Sequence, residues 1–180
     1  RGIEALGGEV TPEVTAFLFE MGEHEDFRVR AAATTSLFQR WARGADGGMP
    51  AERFFELFRD RLADDDNLPA SRAAAALSHP DFQAFGAESL LEDAYRARSG
   101  GGDANILVPI VESMGASSTT LLRELAATAP REIREGAGRA LRRLTGEDVA
   151  IGDPENAAAP AVDWAGLREL GPSPRIRMET

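Results

Sequence analysis

The chain contains two matching stretches, Val29-Arg30-Ala31-Ala32-Ala33-Thr34-Thr35-Ser36-Leu37 and Ile133-Arg134-Glu135-Gly136-Ala137-Gly138-Arg139-Ala140-Leu141. In each stretch a β-branched residue is followed by Arg, then by mostly small residues, and then by Leu eight positions after the first. At the helical period of 3.6 residues, this spacing places the apolar and small side chains on one face. We therefore predict that each stretch is a helix that neighbouring helices can approach closely.

Both stretches resemble the second helix of a HEAT-type repeat, whose pattern is roughly V-R-x-A-A-x-x-A-L. The resemblance implies an all-α fold, a right-handed α-α superhelix in which helix pairs stack because none can bury its apolar face alone. In helical repeats an arginine at this place commonly pairs with an acidic residue of the adjacent unit, since its fork of donors suits a carboxylate. The arginines in question are Arg30, Arg134 and, in the second unit, Arg72.

Capping and breaking signals divide the chain into about four helix pairs. An N-cap threonine followed by proline opens the first pair at Thr11-Pro12, and a glycine closes the last pair at Gly146. Pro109 lies inside a predicted helix, which is therefore kinked or begins nearer the proline. The predicted pairs span about 11–43, 50–78, 81–114 and 117–145. Their inner helices begin near Asp26, Leu68, Asp103 and Arg131.

We predict that the repeat region spans residues 1–146 and that the composition changes after Gly146. Residues 1–8 read like the end of an inner helix from a preceding repeat, so we expect the chain to be part of a larger protein. Residues 147–180 are rich in Gly, Pro, Ala and acidic residues, and predict an extended tail or linker with one short helix at about 163–170. Residues 174–180 alternate apolar and polar side chains, and resemble the opening strand of cyclophilin-type peptidyl-prolyl isomerases.

The charge of the chain narrows the classes of partner. Its 20 basic residues are all Arg, and they face 30 acidic residues for a net charge of -10. Such a negatively charged surface repels polyanions. Nucleic acids are therefore disfavoured as partners, because binding them needs a basic face that neutralises phosphates. No apolar run is long enough to cross a membrane. The chain has no cysteine, and this alone does not fix its compartment, so localisation stays open.

The sequence predicts no catalytic, cofactor-binding or metal-binding residues. The acidic loop at 23–26 lacks the alternating oxygen positions and central glycine of a calcium loop. The two histidines of the chain, His24 and His79, do not have the spacing of zinc ligands. We interpret the acidic run at 64–66 as the solvated end of a helix. Neither Gly-x-Ser-x-Gly nor a phosphate-binding loop with its lysine occurs in the chain.

The hypothesis that follows is a non-catalytic protein-binding or scaffold module whose partners are proteins. An alternative is that the helices are the repeat region of a cyclophilin-type isomerase whose catalytic domain follows residue 180. A third hypothesis is a helical-repeat DNA-binding protein similar to helical-repeat DNA glycosylases, which the acidic composition disfavours.

Overall fold

The computed structural model describes residues 11–99, 103–114 and 118–146, and within these ranges all regular secondary structure is helical. The all-α prediction is thereby confirmed. The predictions for residues 1–8, for the short helix at about 163–170 and for the strand-like residues 174–180 lie outside the described residues. In chain order the described helices are α1 Pro12–Met21, α2 Phe27–Ala42, α3 Ala51–Leu62, α4 Asn67–Leu77, α5 Pro80–Gln83, α6 Ala87–Ser99, α7 Ala104–Glu112, α8 Ser118–Thr128 and α9 Arg131–Thr145.

Short polar side chains begin several of these helices. The carboxylate of Asp26 accepts a hydrogen bond from the Arg28 N–H at 2.8 Å, and Asp103 accepts one from the Asn105 N–H at the same distance. Each bond satisfies a backbone donor that has no partner inside the helix. At the C-terminal end of α9, Gly146 adopts a φ of 75° and ends the helix, because glycine enters the left-handed region without steric cost.

Pro109 lies inside α7 and does not end it. The helix begins at Ala104, so the proline stands near its middle, where the missing N–H removes one intrahelical hydrogen bond. Burial of Ile106, Leu107 and Ile110 stabilises this short helix by packing. The sequence left open whether this helix is kinked at the proline or begins nearer to it, and the second possibility is wrong.

The chain divides into two compact units, with the boundary between Ala94 and Tyr95, inside α6. The prediction of one run of helix pairs as far as residue 146 stays a prediction. In the first unit α2 packs against α1, α3 and α4, and α3 packs against α4. In the second unit α9 packs against α7 and α8, which also contact each other.

In the first unit, α2 and α4 run parallel. Arg30, in the first turn of α2, bonds Asp66, the N-cap of α4, so the two N-terminal ends are adjacent. Phe38, near the end of α2, has its ring 6.0 Å from that of His79, which follows α4. Helix α3 therefore returns the chain from the C-terminal end of α2 to its N-terminal end. Helices α2 and α4 begin at Phe27 and Asn67, which are forty residues apart. The sequence predicted a slightly longer separation between these two helix starts.

The core of the first unit combines small residues on α4 with aromatic residues from its neighbours. Fully buried alanines on α4 let adjacent helices approach closely. Phe54, Phe58 and Phe82 are also fully buried, and the Phe58 and Phe82 rings meet edge to face at 5.5 Å. In the second unit a Cβ on Gly136 would stand 3.0 Å from a methyl group of Val108, so glycine permits the close approach of α9 to α7.

Replacing Leu37 by Ala tests the core of the first unit. Leu37 is fully buried, so we expect Leu37→Ala to lower the free energy of unfolding by about 2–5 kcal/mol, through lost burial and the cavity left behind. Leu68 on α4 is 39% exposed, and the matched change Leu68→Ala should cost less than about 0.5 kcal/mol. Chemical denaturation followed by circular dichroism measures both. Equal losses at the two positions would contradict this packing.

Candidate functional site: an acidic cleft beside Arg30

A surface cleft of about 420 Å³ lies in the first unit, where α1 and α3 end and α2 and α4 begin. The loop between α1 and α2 lines one side, and the end of α3 with the loop before α4 lines the other. Six carboxylates and two arginines line this cleft, so its formal charge is strongly negative. The lining residues are Glu23, His24, Glu25, Arg30, Asp60, Arg61, Ala63, Asp64, Asp65 and Asp66.

Arg30 joins the two sides of the cleft. Its Nε and Nη2 donate to the two carboxylate oxygens of Asp64 at 2.7 and 2.8 Å, and Nη2 also donates to Asp66 at 2.9 Å. Its Nη1 donates to the backbone carbonyl oxygens of His24 at 2.9 Å and Glu25 at 2.8 Å. A guanidinium can make such a set of bonds because its donors form a rigid planar fork. One side chain thus holds both loops in place.

Asp64 is the buried carboxylate of this network, with only 4% of its side chain exposed. Burial by itself raises the pKa of a carboxyl group. Here the hydrogen bonds from Arg30 and from the Asp66 N–H, with the charges of Arg30 and Arg61, outweigh burial and hold the Asp64 pKa below its usual value. The hydrogen bond to Asp64 is also the largest cause of a raised pKa at Arg30. Both partners are therefore ionised at neutral pH.

Arg61 extends the network to the outer edge of the cleft. Its Nη1 lies 3.3 Å from Asp64, and its Nη2 donates to Glu23 at 3.1 Å. Glu25 and Asp65 are exposed, and within the described part of the chain neither side chain has a hydrogen bond or ion pair. The two arginines are thus committed to Asp64, Asp66 and Glu23, while Glu25 and Asp65 keep their charges available to a ligand.

The three arginines singled out from the sequence have different environments. Arg30 is held by Asp64 and Asp66, which precede the adjacent helix α4. Arg72 lies on the exposed side of α4, where the structure describes no polar contact for it. Arg134 is only 2% exposed, and its Nε and Nη1 have no hydrogen-bond partner among the described residues. Arg30 and Arg72 belong to the first compact unit and Arg134 to the second.

Arg40 is an anchoring residue that the sequence did not reveal. It is fully buried in α2, where its Nε donates to the Thr15 hydroxyl at 3.0 Å and its Nη2 to the Thr11 carbonyl oxygen at 2.9 Å. These bonds attach the end of α2 to the start of α1. The signal in the sequence for this bond is Thr15, because its hydroxyl lies on the buried side of α1, where the helix is otherwise apolar.

The chemistry available at the cleft is the binding of cations by carboxylates. Across residues 11–99, 103–114 and 118–146, no group of three or more acidic or histidine side chains has a geometry suited to a metal ion. His24 lines the cleft, but its Nδ1 accepts a hydrogen bond from the Asp26 N–H at 3.0 Å. Six carboxylates against two arginines make the cleft complementary in charge to basic groups.

Comparison of the chain with models of protein families, with curated proteins and with solved structures finds no significant match in any of the three. Among the described helices, none combines the length and the hydropathy needed to cross a membrane.

The low pKa of Asp64 predicts an acid-dependent loss of stability. A carboxyl group with a lower pKa in the folded state stabilises the fold above the pKa of the unfolded state, about 3.9, and this contribution is lost as the pH falls through the folded-state pKa. We expect the free energy of unfolding to decrease from pH 5 to pH 2, and Asp64→Asn to weaken that dependence. Denaturant titrations at a series of pH values measure it. Asp65→Asn, which removes the charge of an exposed neighbour, is the matched control, and an equal change in both variants would contradict the assignment.

Removing the guanidinium tests whether Arg30 holds the two loops together. Arg30→Gln leaves the buried Asp64 without its fork, and should lower the free energy of unfolding by about 1.5–3 kcal/mol. Arg72→Gln is the matched control, because it removes the same charge from an exposed position and should cost less than about 0.5 kcal/mol. Thermal or urea unfolding distinguishes the two. A loss for Arg72→Gln as large as for Arg30→Gln would show that net charge, rather than the fork, is responsible.

Proposed function

We propose that this chain is a HEAT-like helical-repeat module that binds proteins without catalysis, and that it receives a basic segment of its partner in the acidic cleft. The observation that carries the proposal is the charge of the cleft. Six carboxylates line it against two arginines, and both arginines already hold carboxylates of the cleft. A ligand with guanidinium or ammonium groups complements such a surface.

Several features of the first unit support a repeat architecture. Helices α1 and α2 form one pair, α3 and α4 form the next, and the inner helices α2 and α4 are parallel and in contact. The loops before the inner helices also match, because the Asp26 N–H donates to His24 at 3.0 Å and the Asp66 N–H donates to Asp64 at 3.0 Å. Equivalent residues forty positions apart thus make equivalent bonds, as stacked repeats require.

The electrostatics of the cleft favour a peptide over a single small cation. The exposed carboxylates, Glu25 and Asp65, belong to loops of successive helix pairs, so basic side chains spaced along an extended segment can reach both. Arg30 fixes the two loops by bonds to Asp64 on one side and to backbone carbonyl groups on the other. Binding at a surface that is already ordered avoids the entropic cost of ordering it.

The test measures binding of a fluorescent peptide of alternating arginine and serine by fluorescence anisotropy. Each exposed ion pair contributes about 0.2–1 kcal/mol, so the double variant Glu25→Gln/Asp65→Asn should weaken binding by about 2- to 30-fold. The affinity should also fall as salt is raised, because exposed charges are screened. A peptide with glutamate in place of arginine should not bind.

A matched control variant removes the same number of negative charges as Glu25→Gln/Asp65→Asn, but from positions outside the cleft. Glu13 and Glu52 lie in the first turns of α1 and α3, at the opposite ends of these helices from the cleft. Glu13→Gln/Glu52→Gln should bind the arginine peptide as tightly as the unmodified chain. If both double variants lose affinity equally, only the net charge of the protein attracts the peptide, and the cleft is not the binding site.

A further inference from the structure

Two matching turns hold the exposed carboxylates of the cleft. In the loop before α2, the Nδ1 of His24 accepts a hydrogen bond from the Asp26 N–H at 3.0 Å, so this bond spans Glu25. In the loop before α4, the acceptor is the carboxylate of Asp64, and its bond from the N–H two residues later, also 3.0 Å long, spans Asp65. Each turn thus carries one of the two carboxylates that are available to a ligand.

The two acceptors respond differently to acid. Imidazole ordinarily changes charge between pH 5 and 8, whereas carboxyl and guanidinium groups ordinarily do so outside this range. Both nitrogens of a protonated imidazole are donors, so His24 then cannot accept a bond from a backbone N–H. Arg30 instead keeps Asp64 ionised and hydrogen-bonded. Weak acid therefore opens the turn around Glu25 and leaves the turn around Asp65 intact.

The charges that share the cleft with His24 are mostly negative. They come from its own loop, from the end of α3 and from the loop before α4, and both arginines of the cleft already bind carboxylates. The acidic groups are Glu23, Glu25, Asp60, Asp64, Asp65 and Asp66, and the basic groups are Arg30 and Arg61. The nearby Asp26 carboxylate caps α2. A protonated imidazole lowers the negative charge of the cleft by one, and this negative charge is what attracts a basic ligand.

We propose that His24 is a pH-dependent switch of the cleft, a regulation that rests on the function proposed above. When the imidazole is neutral, its turn holds Glu25 in place, together with the bonds from Arg30 Nη1 to the carbonyl oxygens of His24 and Glu25. When the imidazole is protonated, the turn loses its side-chain bond and the cleft gains a positive charge. Both changes weaken the binding of a basic segment. By reciprocity, binding of that segment favours the neutral imidazole and releases protons.

The first test measures binding of the arginine and serine peptide, acetylated at its α-amino group, at pH 8 and pH 5.5 and at constant ionic strength. Neither arginine nor serine changes charge in this range. The chain itself stays negatively charged at both pH values, because its sequence pI is about 4.7. We expect the affinity to be lower at pH 5.5 by about 2- to 5-fold, which corresponds to the contribution of one exposed ion pair.

Two matched substitutions assign this effect to one histidine. His24→Asn keeps an acceptor oxygen for the backbone N–H, as Asp64 does in the equivalent turn, but does not titrate, so its affinity should be the same at both pH values. His79→Asn removes the other histidine of the chain, which precedes α5 outside the cleft and accepts a hydrogen bond from the Asp81 N–H at 3.4 Å. This variant should keep the pH dependence of the unmodified chain.

The amide of Asp26 reports the switch without any ligand. In ¹H–¹⁵N NMR spectra of the free, full chain, its resonance should move between pH 8 and pH 5.5 together with the resonances of the His24 ring, because the hydrogen bond is lost as the ring is protonated. The same amide in His24→Asn should not move. The Asp66 amide of the unmodified chain is the internal control, because its acceptor is a carboxylate.

The outcomes separate the switch from the proposed function. Binding that is equally tight at both pH values, or a pH dependence that His24→Asn retains, overturns the switch and leaves the peptide site intact. An Asp26 amide that stays unchanged while the His24 ring titrates also overturns the switch, since acid then does not break this bond. Absence of binding at pH 8 contradicts the proposed function, and with it the regulation, whatever the Asp26 amide shows.

Discussion

The ion pair between Arg30 and Asp64 is the interaction on which the rest of the first unit depends. The carboxylate is almost fully buried, and its charge is compatible with burial only because a guanidinium binds both of its oxygens. The arginine belongs to one helix pair and the aspartate to the next, so the bidentate bonds to Asp64 come from the neighbouring pair. This requirement fixes the neighbouring ends of α2 and α4, and with them the walls of the acidic cleft.

Arginine is the residue that joins helices throughout the described chain. Arg30 binds two carboxylates and two backbone carbonyl groups, while Arg40 binds a hydroxyl and a carbonyl group from the start of α1. In the second unit, Arg143 on α9 donates to Glu112 on α7 at 2.6 Å. A lysine could not replace these, because its ammonium is a compact point charge without the fixed fork. The absence of lysine from the chain agrees with this use of guanidinium groups.

The helices of the described chain could be predicted from the sequence, because caps, prolines and apolar spacing are local signals. The cleft could not. By its sequence the acidic run at 64–66 indicates a solvated helix end, since like charges at a helix C-terminus are unfavourable by themselves. Only the tertiary contact with Arg30 reverses that balance and buries Asp64. Comparison of the loops before α2 and α4, forty residues apart, could have drawn attention to Asp64. Arg72 shows the opposite case: its pattern suggested a joining role, yet the side chain is exposed.

The forty-residue correspondence between Phe27 and Asn67 has a consequence for how such a gene can change. In the first unit Asp26 and Asp66 stand at the N-caps of α2 and α4, so duplication or loss of a block of that length keeps an aspartate directly before the helix that follows. A block of another length would separate the Arg30 guanidinium from the turn that carries Asp64 and Asp66. Insertions are thus best tolerated after the C-terminal end of α2, where Gly44, Gly47 and Gly48 adopt positive φ angles in a loop far along the helix from the ion pair.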